Sequence, residues 1–186
     1  MNYSIRIFFV LILLTVCGCW GPIVLHPVGP HEQSVVTMDS IIRDKFGSIG
    51  EFSETLSANF KNDQSDTNNH TYYETMGTSF QVNYHEFTEY FISGLETELS
   101  KRGVAVSSNS SNKIHIKLSD FRMSFSTTIG RIYFLIHVSS EGNDWTKTYN
   151  GSGTRPTGGN VLISTVVYQN IRTLLEDPAF LAQLEM

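Results

Sequence analysis

The chain has 186 residues, with 13 Lys and Arg against 18 Asp and Glu, a formal net charge of −5, and only two cysteines. This length forms one domain with a real core, and the acidic balance argues against a nucleic-acid binder, which would show a basic face. With the cysteines at 17 and 19, the rest of the chain has neither a disulfide framework nor a cysteine metal site, so its 12 Phe and 8 Tyr must help supply the core that holds it.

The opening residues give an address. Arg6 supplies positive charge, Ile7 to Val16 is apolar apart from Thr15, and Cys17, Gly18 and Cys19 follow. These are the parts of a secretory signal. The apolar run is about 15 Å long as a helix, against the roughly 20 residues a spanning helix needs, which disfavours a permanent transmembrane anchor. Val16-Cys17-Gly18-Cys19 resembles the lipobox of bacterial lipoproteins, a small residue followed by an obligatory cysteine. The resemblance implies cleavage after residue 18, a diacylglyceryl group on Cys19 and acylation of the new N-terminus, making the membrane a partner through lipid. Two or more acyl chains give stable anchoring at about 0.8 kcal/mol per buried methylene. Trp20 stands where Asp would resemble an inner-membrane retention signal, so the implied location is the outer membrane, facing the periplasm. The alternatives are an ordinary signal peptide with incidental cysteines, or an uncleaved anchor. Removing residues 1–18 leaves 168 residues and, with Arg6 gone, a charge of −6.

Residues 19–33 read as the lipidated cysteine and a tether, since 21–30 is GPIVLHPVGP, although Ile23-Val24-Leu25 suits a short edge strand. Residues 34–186 read as a single domain. Ser34–Met38 is a strand candidate and Asp39–Phe46 a short helix capped by Asp39. Ser57–Ser79 is the most polar stretch and reads as a long flexible surface loop, with Phe60, Tyr72 and Tyr73 either contacting a partner or pinning the loop to the domain.

The clearest helix is predicted from Tyr84 to Arg102. Asn83 caps it, Glu86 completes a capping box, Phe87, Phe91, Leu95 and Leu99 form its apolar stripe, Gly94 suits close packing, and Gly103 stops it. Val104–Val106 is a short strand and 107–112 a turn. Between Lys113 and Phe125 the apolar parity switches, from Ile114, Ile116 and Leu118 to Phe121, Met123 and Phe125, which predicts a β-bulge near Ser119-Asp120. Arg131–Ser139 is apolar on both parities, as in a central strand, and Trp145–Tyr149 completes an antiparallel meander. Asn150–Gly159 (NGSGTRPTGG) reads as a Gly-rich loop. A second helix follows from Val161 to Leu175, capped by Asn160, with Leu162, Val166, Ile171 and Leu174 inward. Asp177-Pro178 opens a last short helix.

This order predicts an α+β fold, with two amphipathic helices packed on one face of a mostly antiparallel sheet and a long polar loop before the first main helix. In residues 80–186, the helix stripe Phe87–Leu99, Arg102-Gly103-Val104, the alternating Ile114-Ile116-Leu118 and the closing Asp177-Pro178-Phe180-Leu184 resemble small outer-membrane lipoproteins of the YajG type. The layout is also similar to the lipopolysaccharide-assembly lipoprotein and to auxiliary lipoproteins of lipid-transporting ABC systems. The resemblance implies a non-enzymatic binding, assembly or transport-accessory role, with an envelope protein as partner and lipid as a ligand class. It carries over no site residue beyond Cys19.

Catalytic and metal motifs are weak. His85-Glu86 lacks the second His of a zinc helix, because position 89 is Glu. His26 and His31 flank the tether and His70 lies in the polar loop. His115 and His137 alternate in strands that could bring them face to face. Gly151-Ser152-Gly153 lacks the spacing of a nucleophile elbow. Asp120 and Asp144 are candidates for paired carboxylates, and the strand–loop–helix context of 150–159 suits an anion, with Arg155 as its contact, although Pro156 breaks the dinucleotide pattern. An envelope hydrolase or metal-dependent enzyme would need these groups in one cleft. A surface structural lipoprotein would need none of them. The expectation is therefore no catalytic residue, no metal and no cofactor.

Overall fold

The computed structural model describes residues 23–24, 56–75, 78–126, 129–155 and 159–184. The elements are β1 (Ile23–Val24), β2 (Ser57–Asn62), β3 (Asn69–Thr75), β4 (Thr78–Asn83), α1 (Tyr84–Ser100), β5 (Ala105–Val106), β6 (Lys113–Phe125), β7 (Gly130–Ser140), β8 (Thr146–Arg155), α2 (Gly159–Leu175) and α3 (Pro178–Leu184). The fold is α+β, as the sequence predicts. The main sheet runs β5-β2-β6-β7-β8 and a smaller one runs β1-β4-β3. The meander β6-β7-β8 is antiparallel, whereas β2 pairs in parallel with both β5 and β6, so the main sheet is mixed.

Two segments read as loops are strands. Residues 57–79 contain β2, β3 and the start of β4, with a connection of only 63–68 between the first two. Polar residues dominate there because β2 needs only Ala58 and Phe60 against the core, while β3 attaches through rings. Tyr72 lies 5.2 Å from Phe121 and Tyr73 5.3 Å from Phe125, both edge-on. The other is Asn150–Arg155, which continues β8 opposite Gly130–Leu135. Its glycines make room rather than flexibility. A Cβ on Gly151 would meet the Phe134 ring at 2.3 Å, and one on Gly153 would meet Val166 Cγ2 at 2.3 Å.

The meander's register follows the bulge. Pairing of β6 with β7 shifts between Leu118 and Asp120, which keeps Phe121 and Met123 on the same buried face as Ile114, Ile116 and Leu118. Leu118 lies past the end of β2, and side chains replace the missing strand: its N–H donates to Thr88 Oγ1 at 3.2 Å and its carbonyl accepts from Gln64 Nε2 at 2.6 Å. In β7, Ile132, Phe134, Ile136 and Val138 are buried while Arg131 and His137 are exposed. The strand is central in the sheet, but among the described residues only one of its faces is covered.

Asn83 caps α1 by accepting the Glu86 N–H at 3.0 Å. Gly94 lies under Ile171 of α2, 3.0 Å from where its Cβ would sit, and Tyr90 donates to Ser164 Oγ at 3.1 Å. Both helices thus lie side by side on the sheet's buried face. At the end of α1, Arg102 Nη1 meets Glu98 Oε2 at 2.7 Å with both side chains buried, and Gly103 turns the chain at φ 85. Asp177 opens α3 and ties it to β8, accepting hydrogen bonds from Lys147 and from the Tyr149 hydroxyl. Cys19, residues 1–18, the tether apart from β1, the strand candidate 34–38 and the helix candidate 39–46 lie outside the described residues.

Candidate functional site

Strand parity gives the main sheet two unlike faces. One carries the core and both helices. On the other, directly paired residues share a side, so register alone builds its rows: Lys61 beside His115, then Ser139; Lys117 beside His137, then Thr148; Arg122 beside Tyr133, then Ser152; Ser124 beside Arg131, then Thr154. Among the described residues, no helix or strand covers these rows. Lys61, Lys117, Arg122, Arg131 and His137 are exposed.

Electrostatics on this open face is uneven. Asp120 pairs with Arg122 at 2.8 Å and Glu141 with Lys113 at 2.9 Å. The Lys113 hydrogen bond holds the Glu141 carboxyl below its ordinary range. His115 lies between Asp63 and Glu141, at 3.6 and 3.7 Å. Lys61, Lys117 and Arg131 have no acidic partner among the described residues. The Arg122 guanidinium also sits over the Tyr133 ring, 5.9 Å from its centre.

Among the described residues no strand pairs with the edge beside this face. The Ser140 N–H bonds the Trp145 carbonyl, and with the β7–β8 register this turns the odd-numbered residues of β8 toward β7. The N–H and C=O groups of Thr146, Thr148, Asn150, Ser152 and Thr154 therefore point outward along a ten-residue edge strand with no proline. Proteins usually blunt such an edge with charge, Pro, a bulge or a cover. Here the Lys147 side chain is drawn to Asp177 instead.

The sequence candidates do not converge. His115 sits opposite Ser139 and His137 opposite Lys117, so the two imidazoles do not face each other. His137 Nδ1 contacts Thr148 Oγ1 at 2.6 Å. Asp120 pairs opposite Leu135, whereas Asp144 lies beyond Ser140, about 17 Å further along the strand. Nδ1–H of His85 donates to the Gln64 carbonyl at 2.7 Å. His70 Nε2 contacts Asp66 Oδ2 at 2.7 Å, a partner four residues away that was not anticipated. Phe60 is a core residue, and Tyr72 and Tyr73 pin β3 to the sheet. Burial raises the Tyr72 phenol above its ordinary pKa, and its hydroxyl has no hydrogen-bond partner. The anion loop proposed at 150–159 is strand as far as Arg155, and the Arg155 side chain, His26 and His31 lie outside the described residues. Among the described residues no group of three or more His, Cys, Asp or Glu is placed to hold a metal, and no helix is long and apolar enough to cross a membrane.

The basic rows were missed in the sequence. Lys113, His115 and Lys117 alternate with Ile114, Ile116 and Leu118, which was signal enough for part of the face. Lys61 joins it only through the parallel pairing of β2, in a stretch read as loop.

No protein-family model matches the chain, and no curated protein matches it. Among solved structures, an uncharacterised protein superposes with a TM-score of 0.41 at 8% identity, over 67% of this chain and 91% of its own. A Xanthomonas campestris protein described with the family model DUF330 superposes with a TM-score of 0.40 at 11% identity, over 74% of this chain and 89% of its own. Similarities this low carry no argument about activity.

Proposed function

We propose that the chain is a lipid-anchored envelope protein that works by binding, holding an envelope partner at the free β8 edge of its main sheet. The observation that carries this reading is the edge of β8: among the described residues no strand pairs with it, and its outward N–H and C=O groups are ones a partner strand can pair with. The lipobox-like Val16-Cys17-Gly18-Cys19 supports anchoring at Cys19 on the outer membrane, facing the periplasm. The resemblance of residues 80–186 to YajG-type lipoproteins supports an accessory rather than catalytic role. Of the residues an enzyme reading would recruit, His115 pairs opposite Ser139, His137 opposite Lys117 and Asp120 opposite Leu135.

The test is capture of C-terminally tagged protein from mildly solubilised envelopes, comparing wild type with Cys19→Ser. Wild type is expected to retain an envelope protein in near-equal amount and the variant to lose it. Recovery of no partner by either would refute the accessory role.

A further inference from the structure

We propose that the open sheet face is a docking surface for anionic lipid head groups, on which the domain lies flat. This rests on the anchored reading, and two independent features of the fold lead to it. The first is the reach of the anchor. Ile23 and Val24 are stitched in parallel to Phe80 and Gln81, so only three residues separate the sheet from Cys19, four Cα steps that span at most about 14 Å. A domain held this closely cannot stand off the membrane. The end at which the chain enters is also identifiable. Phe80, opposite Ile23, touches the Phe125 ring at 5.7 Å. Phe125 ends β6 where the chain turns into β7, and that turn carries Ile129, the exposed large apolar side chain of the described residues, two positions before Arg131. Chain entering β1 in parallel with β4 therefore comes from the same end of the molecule as the β6–β7 turn.

The second feature is charge. In a chain of net charge −5, the open face gathers Lys61, Lys113, Lys117, Arg122 and Arg131. Its nearby acids, Asp63, Asp120 and Glu141, each lie against a basic group or an imidazole. Lys61, Lys117 and Arg131 remain for an external anion. The opposite layer exposes Glu86 and Glu89 on α1, so an anionic surface attracts one side of the domain and repels the other. Tyr133, half-buried among these cations, suits the head-group level.

Full-length protein would be reconstituted into vesicles of phosphatidylcholine alone and of phosphatidylcholine with phosphatidylglycerol. Amine-labelling rates would be read at Lys61 and Lys117, with Lys101 at the end of α1 as the internal control. Lys61 and Lys117 are expected to label about fivefold more slowly in the anionic vesicles only, and raised salt is expected to reverse the effect. Equal rates in the two vesicle types, or the same slowing at Lys101, would overturn the proposal. Protection in native envelopes without protection in anionic vesicles would also overturn it, assigning the face to an acidic protein. Failure of the protein to stay with phosphatidylcholine vesicles would sink the anchor itself, and the labelling comparison in anionic vesicles would still read the face.

Discussion

On the helix-covered side of β6 and β7, Ile114, Ile116, Leu118, Phe134, Ile136 and Val138 are fully buried. On the other side, in the same strands, stand Lys117, Arg122, Arg131, Tyr133 and His137. The difference teaches that one alternation does two jobs. The buried parity holds the domain together, and the open parity is free to carry charge at almost no cost to the fold. Substitutions on the two sides should therefore differ in kind as well as in size.

The largest loss is expected within the covered layer at Glu98. Glu98→Ala leaves the buried Arg102 guanidinium, whose Nε already has no partner, without its carboxylate. The expected cost is about 3–5 kcal/mol in urea unfolding. Gly151→Ala comes next, because its Cβ would collide with the fully buried Phe134 ring. Overpacking of this kind costs about 1–3 kcal/mol, and a drop in thermal midpoint without change of secondary structure would reveal it.

Asp177 gives a smaller, pH-dependent effect at the join between β8 and α3. Burial alone would raise its carboxyl, but hydrogen bonds from Lys147, Tyr149 and the Ala179 N–H outweigh burial and hold it below its ordinary value of 3.8. A depressed carboxyl stabilises the fold above that value, and the contribution disappears as pH falls through the folded pKa. Asp177→Asn should then cost about 1 kcal/mol at neutral pH, allowing for solvent screening, with the gap to wild type closing as pH falls below the ordinary carboxylate range. A gap that persists there would mean that packing at the α3 cap, rather than charge, is responsible. On the open face, Lys117→Glu is expected to change stability by no more than about 0.5 kcal/mol.

Much of this architecture was legible in the sequence. The parity switch between Leu118 and Phe121 located the bulge, because the covered face draws the apolar residues of β6 to one side. The stripe from Phe87 to Leu99 and the cap at Asn83 located α1. Two local signals misled for physical reasons. Gly151 and Gly153 look like loop residues, yet they are small because Phe134 and Val166 occupy the space above them. The polar run 57–79 looks unstructured because β2 is completed by long-range parallel pairing with Lys113–Ile116, which composition does not record. The basic face was legible in part at Lys113, His115 and Lys117, but assembling it required register across three strands.

The most direct measurement is a paired one on Lys61→Glu/Lys117→Glu/Arg131→Glu in the full-length chain: its urea midpoint, and its amine labelling at Lys113 in vesicles with and without phosphatidylglycerol. The account predicts a wild-type midpoint together with loss of the protection that anionic lipid gives this face in wild type. A collapsed midpoint would make these side chains part of what holds the fold, and protection that survives the charge reversal would show that charge does not seat the face on the membrane.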